Sequence, residues 1–210
     1  MRSDSPSAQH WVLFDVGGVL IRWDDSRTFR TVARRYGLEP DDVKGVLERQ
    51  RRKLQSGEIT IHEFWARFAR SFALPLPEDW RTLWSAQMGR LARPKKQVLG
   101  LASQLRRRGV PTGLFSNTDP THWRVLHSRG WFEGFSPQIV SFRLGAVKPD
   151  PEAFHRAEKL FPSTVGMPLL VDDSAANVRA ARAAGWDAIW FTSESALRCD
   201  LRRRGLLNPE

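Results

Sequence analysis

The chain has 210 residues and a mass of 24.0 kDa, enough for one compact domain or for one core domain with a modest insertion. Hydrophobic residues make up 41% of the chain and charged residues 27%, which excludes wholesale disorder. The single cysteine, Cys199, excludes a disulfide framework and a cysteine-rich zinc site.

The formal net charge is +10, and such a balance raises the question of a nucleic-acid partner. The excess is spread along the chain, because residues 22–92 carry a net +4 and residues 93–210 a net +7. The densest clusters, Arg106–Arg108 and Arg202–Arg204, each precede a glycine, as is typical of helix C-termini. We therefore favour helix ends over a nucleic-acid patch and keep docking of a basic surface on nucleic acid as the alternative.

Residues 1–10 are polar and are expected to be disordered. The apolar run from Trp11 to Ile21 is too short to span a bilayer. Asp15 lies within that run and makes it a poor signal-peptide core. We therefore expect a cytoplasmic protein without membrane contact.

The first predicted element is a short strand, Trp11–Phe14, whose continuous apolar run is typical of a parallel sheet covered on both faces. It ends at Asp15-Val16-Gly17-Gly18, which predicts a tight loop. Residues 22–92 show only helical patterns, and we predict an all-helical cap over this range, with a capping box at Thr60 and Glu63. Its predicted helices are Ser26–Tyr36, Asp41–Lys53, Thr60–Phe72 and Glu78–Gly89.

From Arg93 onward helices and strands alternate, which is typical of a doubly wound parallel sheet. The fold class is therefore α/β, with a core of residues 11–21 and 93–210 into which the helical cap of residues 22–92 is inserted. The predicted strands of this part are Val110–Phe115, Gln138–Phe142, Pro168–Val171 and Ala188–Phe191. The predicted helices run from Pro94 through Leu105, after Asp119, over Pro151–Leu160 and Ala175–Ala184, and finally toward Arg204.

Polar side chains follow four of the predicted strands at their carboxyl ends, where open parallel sheets bind ligands. They are Asp15, the run Ser116-Asn117-Thr118, Lys148 at a short remove, and the pair Asp172-Asp173. Carboxylates held together repel unless a cation neutralises them. A hard divalent ion such as Mg²⁺ prefers oxygen ligands, so the pattern predicts magnesium and, with it, phosphate chemistry.

Four ordered segments resemble the motifs of the haloacid-dehalogenase (HAD) superfamily with a helical cap. These segments are Phe14-Asp15-Val16-Gly17-Gly18-Val19-Leu20, Phe115-Ser116-Asn117-Thr118, Val147-Lys148-Pro149-Asp150, and Val171-Asp172-Asp173-Ser174 through Asn177. The resemblance covers nearly the whole chain. It implies a Rossmann-like core and a cytoplasmic phosphatase that acts on a small phosphate ester.

The resemblance also implies a role for each motif residue. Asp15 would be the nucleophile and would form an aspartyl-phosphate that water hydrolyses. Ser116 would hold phosphoryl oxygens, Asn117 would contact substrate or cap its own loop, and Lys148 would bind substrate and balance the charge around Asp15. Asn177 would orient the acidic pair. Mg²⁺ would bind the Asp15 carboxylate, the Gly17 carbonyl and Asp173, with Asp172 as a further ligand or a neighbour of the ligands.

One position departs from most phosphatases of the superfamily. Two residues after the nucleophile they carry a second aspartate, which moves protons, whereas this chain has Gly17. Loss of a positioned acid typically costs about 10²–10⁴-fold in rate. The substrate could have a good leaving group, as in the similar glucose-1-phosphate phosphatase-like subgroup. Alternatively, Asp24, Asp25 or His122 could supply the proton, or the protein could be a catalytically weak binder of phospho-ligands.

The 2-haloacid dehalogenases also lack the second aspartate, and they use the same nucleophile without a metal. The acidic pair Asp172-Asp173 favours the phosphatase over the dehalogenase. The cap is expected to select the substrate and to exclude water, and its residues Phe64, Phe68 and Phe72, at helical spacing, are expected to pack its core. The oligomeric state is left open between monomer and homodimer.

Overall fold

A computed structural model describes residues 11–161 and 166–208. The strands of this part, in chain order, are β1 (Val12–Phe14), β2 (Ile21–Arg22), β3 (Arg93–Pro94), β4 (Thr112–Ser116), β5 (Gln138–Val140), β6 (Leu169–Asp172) and β7 (Asp187–Trp190). Five of them form one parallel sheet in the order β5-β4-β1-β6-β7. The predicted α/β class with a doubly wound parallel sheet is confirmed.

The helices between these strands cover both faces of the sheet and form the inserted unit. The helices of the insert are α1 (Asp25–Tyr36), α2 (Pro40–Gln55), α3 (Ile61–Ser71) and α4 (Trp80–Leu91). The helices of the remaining chain are α5 (Lys96–Arg107), α6 (Pro120–His127), α7 (Ser141–Leu144), α8 (Pro151–Glu158), α9 (Ala175–Ala183) and α10 (Glu194–Arg203).

The central strand β1 determines where polar residues meet. All three of its residues are fully buried, because helices cover both faces of the sheet, and this explains its unbroken apolar sequence. Phe14 lies opposite Leu114 of β4 and Val171 of β6. The residues that follow these positions, including Asp15 and Asp172, therefore emerge at one edge of the sheet.

The inserted helices have a hydrophobic core of their own. Trp65 and Phe68 are fully buried in it, Trp84 nearly so, and Phe72 packs against it, as the helical spacing predicts. The capping box of α3 is present, with Thr60 and Glu63 bonding reciprocally. The exact division at residues 22–92 stays a prediction.

Several predicted element boundaries differ from the structure by one or two residues, as at β4, which begins at Thr112 and not at Val110. At two places the type of element also differs. Residues Ile21–Arg22 and Arg93–Pro94 form a two-stranded antiparallel stem at the base of the cap, so Pro94 does not begin a helix, and α5 begins at Lys96. Strands of two residues carry no periodicity, and only their long-range pairing defines them. The strand expected to reach Phe142 ends at Val140, because α7 begins at Ser141.

Three further expectations concern the ends of the chain and its surface. The arginine clusters do lie at helix ends, since α5 ends at Arg107 before Gly109 and α10 ends at Arg203 before Gly205. Among the described residues no helix has the length and apolarity needed to cross a membrane. Residues 1–10, expected to be disordered, lie outside the described residues.

Candidate active site

A small cavity lies between the carboxyl edge of the sheet and the cap. Its volume is about 170 Å³. Strand-end residues form one side of it, and residues of the cap and of α6 form the other. Among the lining residues are Gly17, Trp23, Arg51, Gln55, Trp84, Ser116, Asn117, Asp119 and His122.

Lys148 is the centre of a buried ionic cluster beside this cavity. Its Nζ donates hydrogen bonds to Asp15 Oδ1 at 3.0 Å, to Asp172 Oδ2 at 2.6 Å and to the Phe115 carbonyl at 2.5 Å. The Lys148 side chain is fully buried, so all three of its donors are used within the protein. This arrangement matches the charge-balancing role expected of Lys148, whereas its contact with substrate stays a prediction.

The Asp172 carboxylate accepts hydrogen bonds from three residues. Besides Lys148, its carboxylate accepts hydrogen bonds from the Ser174 backbone N–H at 2.9 Å and from the Asn177 side-chain amide at 3.0 and 3.1 Å. Asn177 thus contacts Asp172, one member of the acidic pair, and the orienting role that the resemblance implies for it stays a prediction. Asp172 is fully buried, which suits a supporting position next to Asp15 and Asp173.

The electrostatics of Asp15 reflect its burial. Removal from water raises the pKa of Asp15 to about 7, assisted by the nearby Asp172 charge and opposed by Lys148. Although burial by itself lowers the pKa of Lys148, attraction to Asp15 and Asp172 raises it above its ordinary value. Burial and the neighbouring Asp172 also raise the pKa of Asp173. Three carboxylates around one lysine leave this site short of positive charge.

The residues present fit a hard divalent cation. Oxygens of Asp15, Asp172 and Asp173 lie within 4.8 Å of one another, which is the ligand type that Mg²⁺ prefers. Gly18 makes room for this cluster: it has a φ of +77°, and a Cβ on it would lie 1.8 Å from Asp173 Oδ2. No other residue type fits beside Asp173 without moving it.

Lys95 is a neighbour of this cluster that the sequence did not reveal. Its ammonium donates a hydrogen bond to the Gly18 carbonyl and lies over the Phe191 ring at 4.7 Å. Partial burial lowers the pKa of Lys95, and the charge of Asp173 opposes this. Only its position directly after the stem strand β3 brings it to the nucleophile loop.

The second strand-end motif lies against the cavity. Ser116 and Asn117 both line the cavity. The Asn117 amide donates to the Lys148 carbonyl at 2.7 Å and accepts from the Lys148 N–H at 2.9 Å. Its side chain thus ties two motifs together, and its contact with substrate stays a prediction. The hydroxyl of Ser141 bonds both backbone groups of Thr118 at 3.0 Å, which fixes the same loop from α7.

The opposite side of the cavity is aromatic. Trp84 of the cap stacks on His122 of α6, with ring centroids 4.7 Å apart and planes 14° from parallel. Asp119 caps α6 by accepting the Thr121 and His122 backbone N–H groups, and its other oxygen lies 3.0 Å from His122 Nδ1 and accepts the Trp84 indole N–H at 3.1 Å. Sequence reasoning named His122 as one possible proton source and Asp119 as the residue before a helix, but it did not place them beside Trp84.

A parallel sheet with helices inserted after its first strand, and a buried carboxylate cluster beneath them, defines an α/β enzyme with a capped active site. The chain belongs to the haloacid dehalogenase-like hydrolases, whose family model matches residues 10–185. The superfamily inferred from the four motifs is confirmed.

One curated protein is similar to this chain over most of the chain's length. It is 28% identical over 190 residues to the bifunctional riboflavin kinase/FMN phosphatase of Arabidopsis thaliana, with 85% of this chain covered. The chain spans about half the length of that curated relative, 47%.

Solved structures share the fold at low identity. A HAD family enzyme from Bacteroides thetaiotaomicron superposes with a TM-score of 0.67 at 21% identity, covering 87% of this chain and 93% of its own. A predicted HAD-like hydrolase from Porphyromonas gingivalis gives 0.67 at 22%, covering 94% and 99%. The L-2-haloacid dehalogenase of Xanthobacter autotrophicus, with chloropropionic acid covalently bound, gives 0.60 at 19%, covering 94% and 84%.

Proposed function

We propose that the protein is a Mg²⁺-dependent phosphatase that hydrolyses a small phosphate monoester through an aspartyl-phosphate on Asp15. The observation that carries this proposal is the buried cluster in which Lys148 bridges Asp15 and Asp172 while Asp173 lies against Gly18. With three carboxylates and one lysine, such a cluster carries an excess of negative charge, which one divalent cation would neutralise so that a phosphate group could bind.

Each residue of the cluster has a task in the two half-reactions. Asp15 attacks phosphorus and takes the phosphoryl group, and water then removes it. Lys148 holds one Asp15 oxygen at 3.0 Å, which leaves the other oxygen for attack. Ser116 would hold phosphoryl oxygens from the neighbouring strand. Mg²⁺ would be held by Asp15, Asp173 and the Gly17 carbonyl, with Asp172 as a further ligand or a neighbour of the ligands. Bound there, it would neutralise charge on the phosphoryl group.

Neighbouring proteins support magnesium and phosphate as ligands. The Bacteroides thetaiotaomicron enzyme has been solved in complex with magnesium and inorganic phosphate, with a TM-score of 0.62 and 20% identity to this chain. The Arabidopsis relative is a phosphatase of FMN in one of its two activities. Both fit an acidic site in which three carboxylates outnumber one buried lysine.

The size of the cavity favours a small substrate. A volume of about 170 Å³ corresponds to roughly five or six water molecules in the liquid. A space of this size suits a phosphate ester with a small organic group better than a flavin mononucleotide. A sugar phosphate is among the larger esters that such a space would hold. Membership of the glucose-1-phosphate phosphatase-like subgroup stays a prediction.

The test is a panel of phosphate esters assayed with Mg²⁺ and with EDTA. We expect turnover with Mg²⁺ only, and its loss in Asp15→Asn. The matched control is Asp187→Asn, at the opposite end of a strand and paired with Arg204; it should retain activity. A parallel assay with fluoroacetate tests the dehalogenase reading. Fluoride release without metal, together with no phosphate release, would contradict the phosphatase and indicate a dehalogenase. Ligand binding without any turnover would indicate a phospho-ligand binder.

A further inference from the structure

The nucleophile loop offers no group that could give a proton to a departing ester oxygen. Residues 16–20 after Asp15 are valine, two glycines, valine and leucine, and a Cβ on Gly17 would contact nothing within 4 Å. Lys148 uses its three donors inside the cluster. The oxygen that leaves phosphorus therefore needs its proton from elsewhere in the cavity, if the proposed function holds.

On the other side of that cavity lies His122, a buried histidine with a partner at only one of its two ring nitrogens among the described residues. Its side chain is nine-tenths buried, and Nδ1 lies 3.0 Å from Asp119 Oδ2. Although burial alone would raise it, the pKa of Asp119 is held below its ordinary value by His122 and the Trp84 N–H. The other ring nitrogen, Nε2, is buried and has no hydrogen-bond partner among the described residues. A buried polar atom without a partner is costly and points to a ligand.

The imidazole is held in one orientation. Trp84 stacks on one face at 4.7 Å and Trp23 lies at 5.7 Å with a tilt of 58°. Asp119 receives Nδ1–H, so Nε2 is the nitrogen left to act on a substrate. The charged groups facing this region are Asp119 from α6 and Arg51 from α2. A carboxylate–imidazole pair of this kind is the arrangement that proton-transferring histidines use.

Of the two other candidates from the sequence, Asp24 and Asp25, the structure describes the side chain of Asp24, and this side chain is placed differently. Asp24 is the N-cap of α1, where its carboxylate accepts hydrogen bonds from the Ser26 backbone and hydroxyl. Its side chain is half exposed, and it is not among the residues that line the cavity. His122, in contrast, lines the same cavity as Gly17 and Ser116.

We propose that His122, oriented by Asp119, is the general acid and base that replaces the side chain missing at Gly17. As Asp15 forms its bond to phosphorus, the bond from phosphorus to the ester oxygen breaks, and that oxygen takes the electron pair and the proton of His122 Nε2. The neutral imidazole then accepts a proton from water as the water oxygen attacks phosphorus. The bond to Asp15 breaks, its electrons return to the carboxylate, and His122 regains its starting state.

Two esters of nearly equal size test this assignment. Phenyl phosphate has a poor leaving group and p-nitrophenyl phosphate a good one, so only the former needs a general acid strongly. His122→Asn should lower kcat/KM for phenyl phosphate at least tenfold more than for p-nitrophenyl phosphate. For p-nitrophenyl phosphate, kcat should fall more than kcat/KM, because water attack on the aspartyl-phosphate loses its base.

The control is His127→Asn, in the last turn of the same helix and exposed, which should match the wild type on both esters. If His122→Asn does not fold, the wild-type protein provides the test. Its solvent deuterium isotope effect on kcat/KM should be larger with phenyl phosphate than with p-nitrophenyl phosphate. Equal losses on both esters, no loss, or equal isotope effects would overturn the role of His122. Absence of wild-type hydrolysis of every ester of the panel, these two included, with Mg²⁺ would overturn the proposed function and this inference with it.

Discussion

The two sides of the cavity differ in the chemistry of their side chains. On the strand-end side, Asp15, Lys148 and Asp172 satisfy one another's hydrogen bonds in a buried network. On the cap side, the rings of Trp84 and His122 form an apolar surface in which one nitrogen has no partner among the described residues. We call these the charged wall and the aromatic wall. Under the proposed function, the first would hold and activate a phosphoryl group, and the second would shape the space around the leaving group.

The walls also differ in how they are assembled. The charged wall is built from neighbouring strands of one rigid sheet, so its geometry is fixed by strand register. The aromatic wall joins α4 of the cap to α6 of the core through the Trp84 N–H bond to Asp119. Proton transfer would therefore depend on where the cap lies, whereas the charged cluster would not.

The largest effect is expected from Gly18→Ala in the charged wall. The added Cβ would meet Asp173 at 1.8 Å, and the residue has a φ of +77°, which costs alanine about 1–2 kcal/mol. We expect Mg²⁺-dependent activity to fall by about 10²-fold or more and the apparent Mg²⁺ affinity to weaken, as metal titration of the initial rate would show.

Gly17→Ala is the matched control for that variant. A Cβ at Gly17 meets nothing within 4 Å, and the Gly17 carbonyl is retained. Metal affinity should stay within about twofold of the wild type. Equal damage from both alanines would show that the loop tolerates no side chain at all and that the contact with Asp173 is irrelevant.

The next effect links the two walls. Because the space beside Gly17 is open, Gly17→Asp in a His122→Asn background should place a new acid on the charged wall. We expect kcat/KM for phenyl phosphate to recover about tenfold relative to His122→Asn alone, as one positioned acid replaces another. Recovery on p-nitrophenyl phosphate to the same degree would instead indicate improved binding.

A smaller effect concerns stability and pH in EDTA. Burial raises the pKa of Asp15 from 3.8 to about 7, so between these values the folded protein binds a proton that the unfolded chain releases. The unfolding free energy from Asp15 therefore decreases as pH rises through this window. Asp15→Asn should be more stable than the wild type at about pH 8, by up to about 4 kcal/mol. The difference should shrink at about pH 5, as urea unfolding at the two pH values would reveal; a difference independent of pH would contradict it.

The smallest effect is expected from Trp84→Phe. Phenylalanine keeps an aromatic ring on His122 but removes the indole N–H that Asp119 accepts at 3.1 Å. One hydrogen bond contributes about 0.5–1.5 kcal/mol, so kcat/KM for phenyl phosphate should fall about three- to tenfold. Trp80→Phe, in the same helix but outside the cavity lining, is the control and should leave the rate unchanged.

The charged wall could be anticipated from sequence because parallel strands end at one edge. Once Trp11–Phe14 and Pro168–Val171 are interpreted as strands, Asp15 and Asp172 must emerge together. The aromatic wall could not be anticipated in this way. Contact between Trp84 and His122 depends on how the cap packs against the core, and neither residue stands in a motif. The stem of β2 and β3 and the approach of Lys95 to Gly18 likewise exist only through long-range pairing.

The central claim is that Asp15 carries the phosphoryl group during turnover. It is tested most directly by acid quench of the protein turning over p-nitrophenyl phosphate with Mg²⁺, followed by mass spectrometry of the Asp15 peptide. We predict a phosphoryl group on Asp15 in the wild type, more of it in His122→Asn, and none in Asp15→Asn. A phosphoryl group on another residue, or undiminished phosphate release by Asp15→Asn, would contradict the claim.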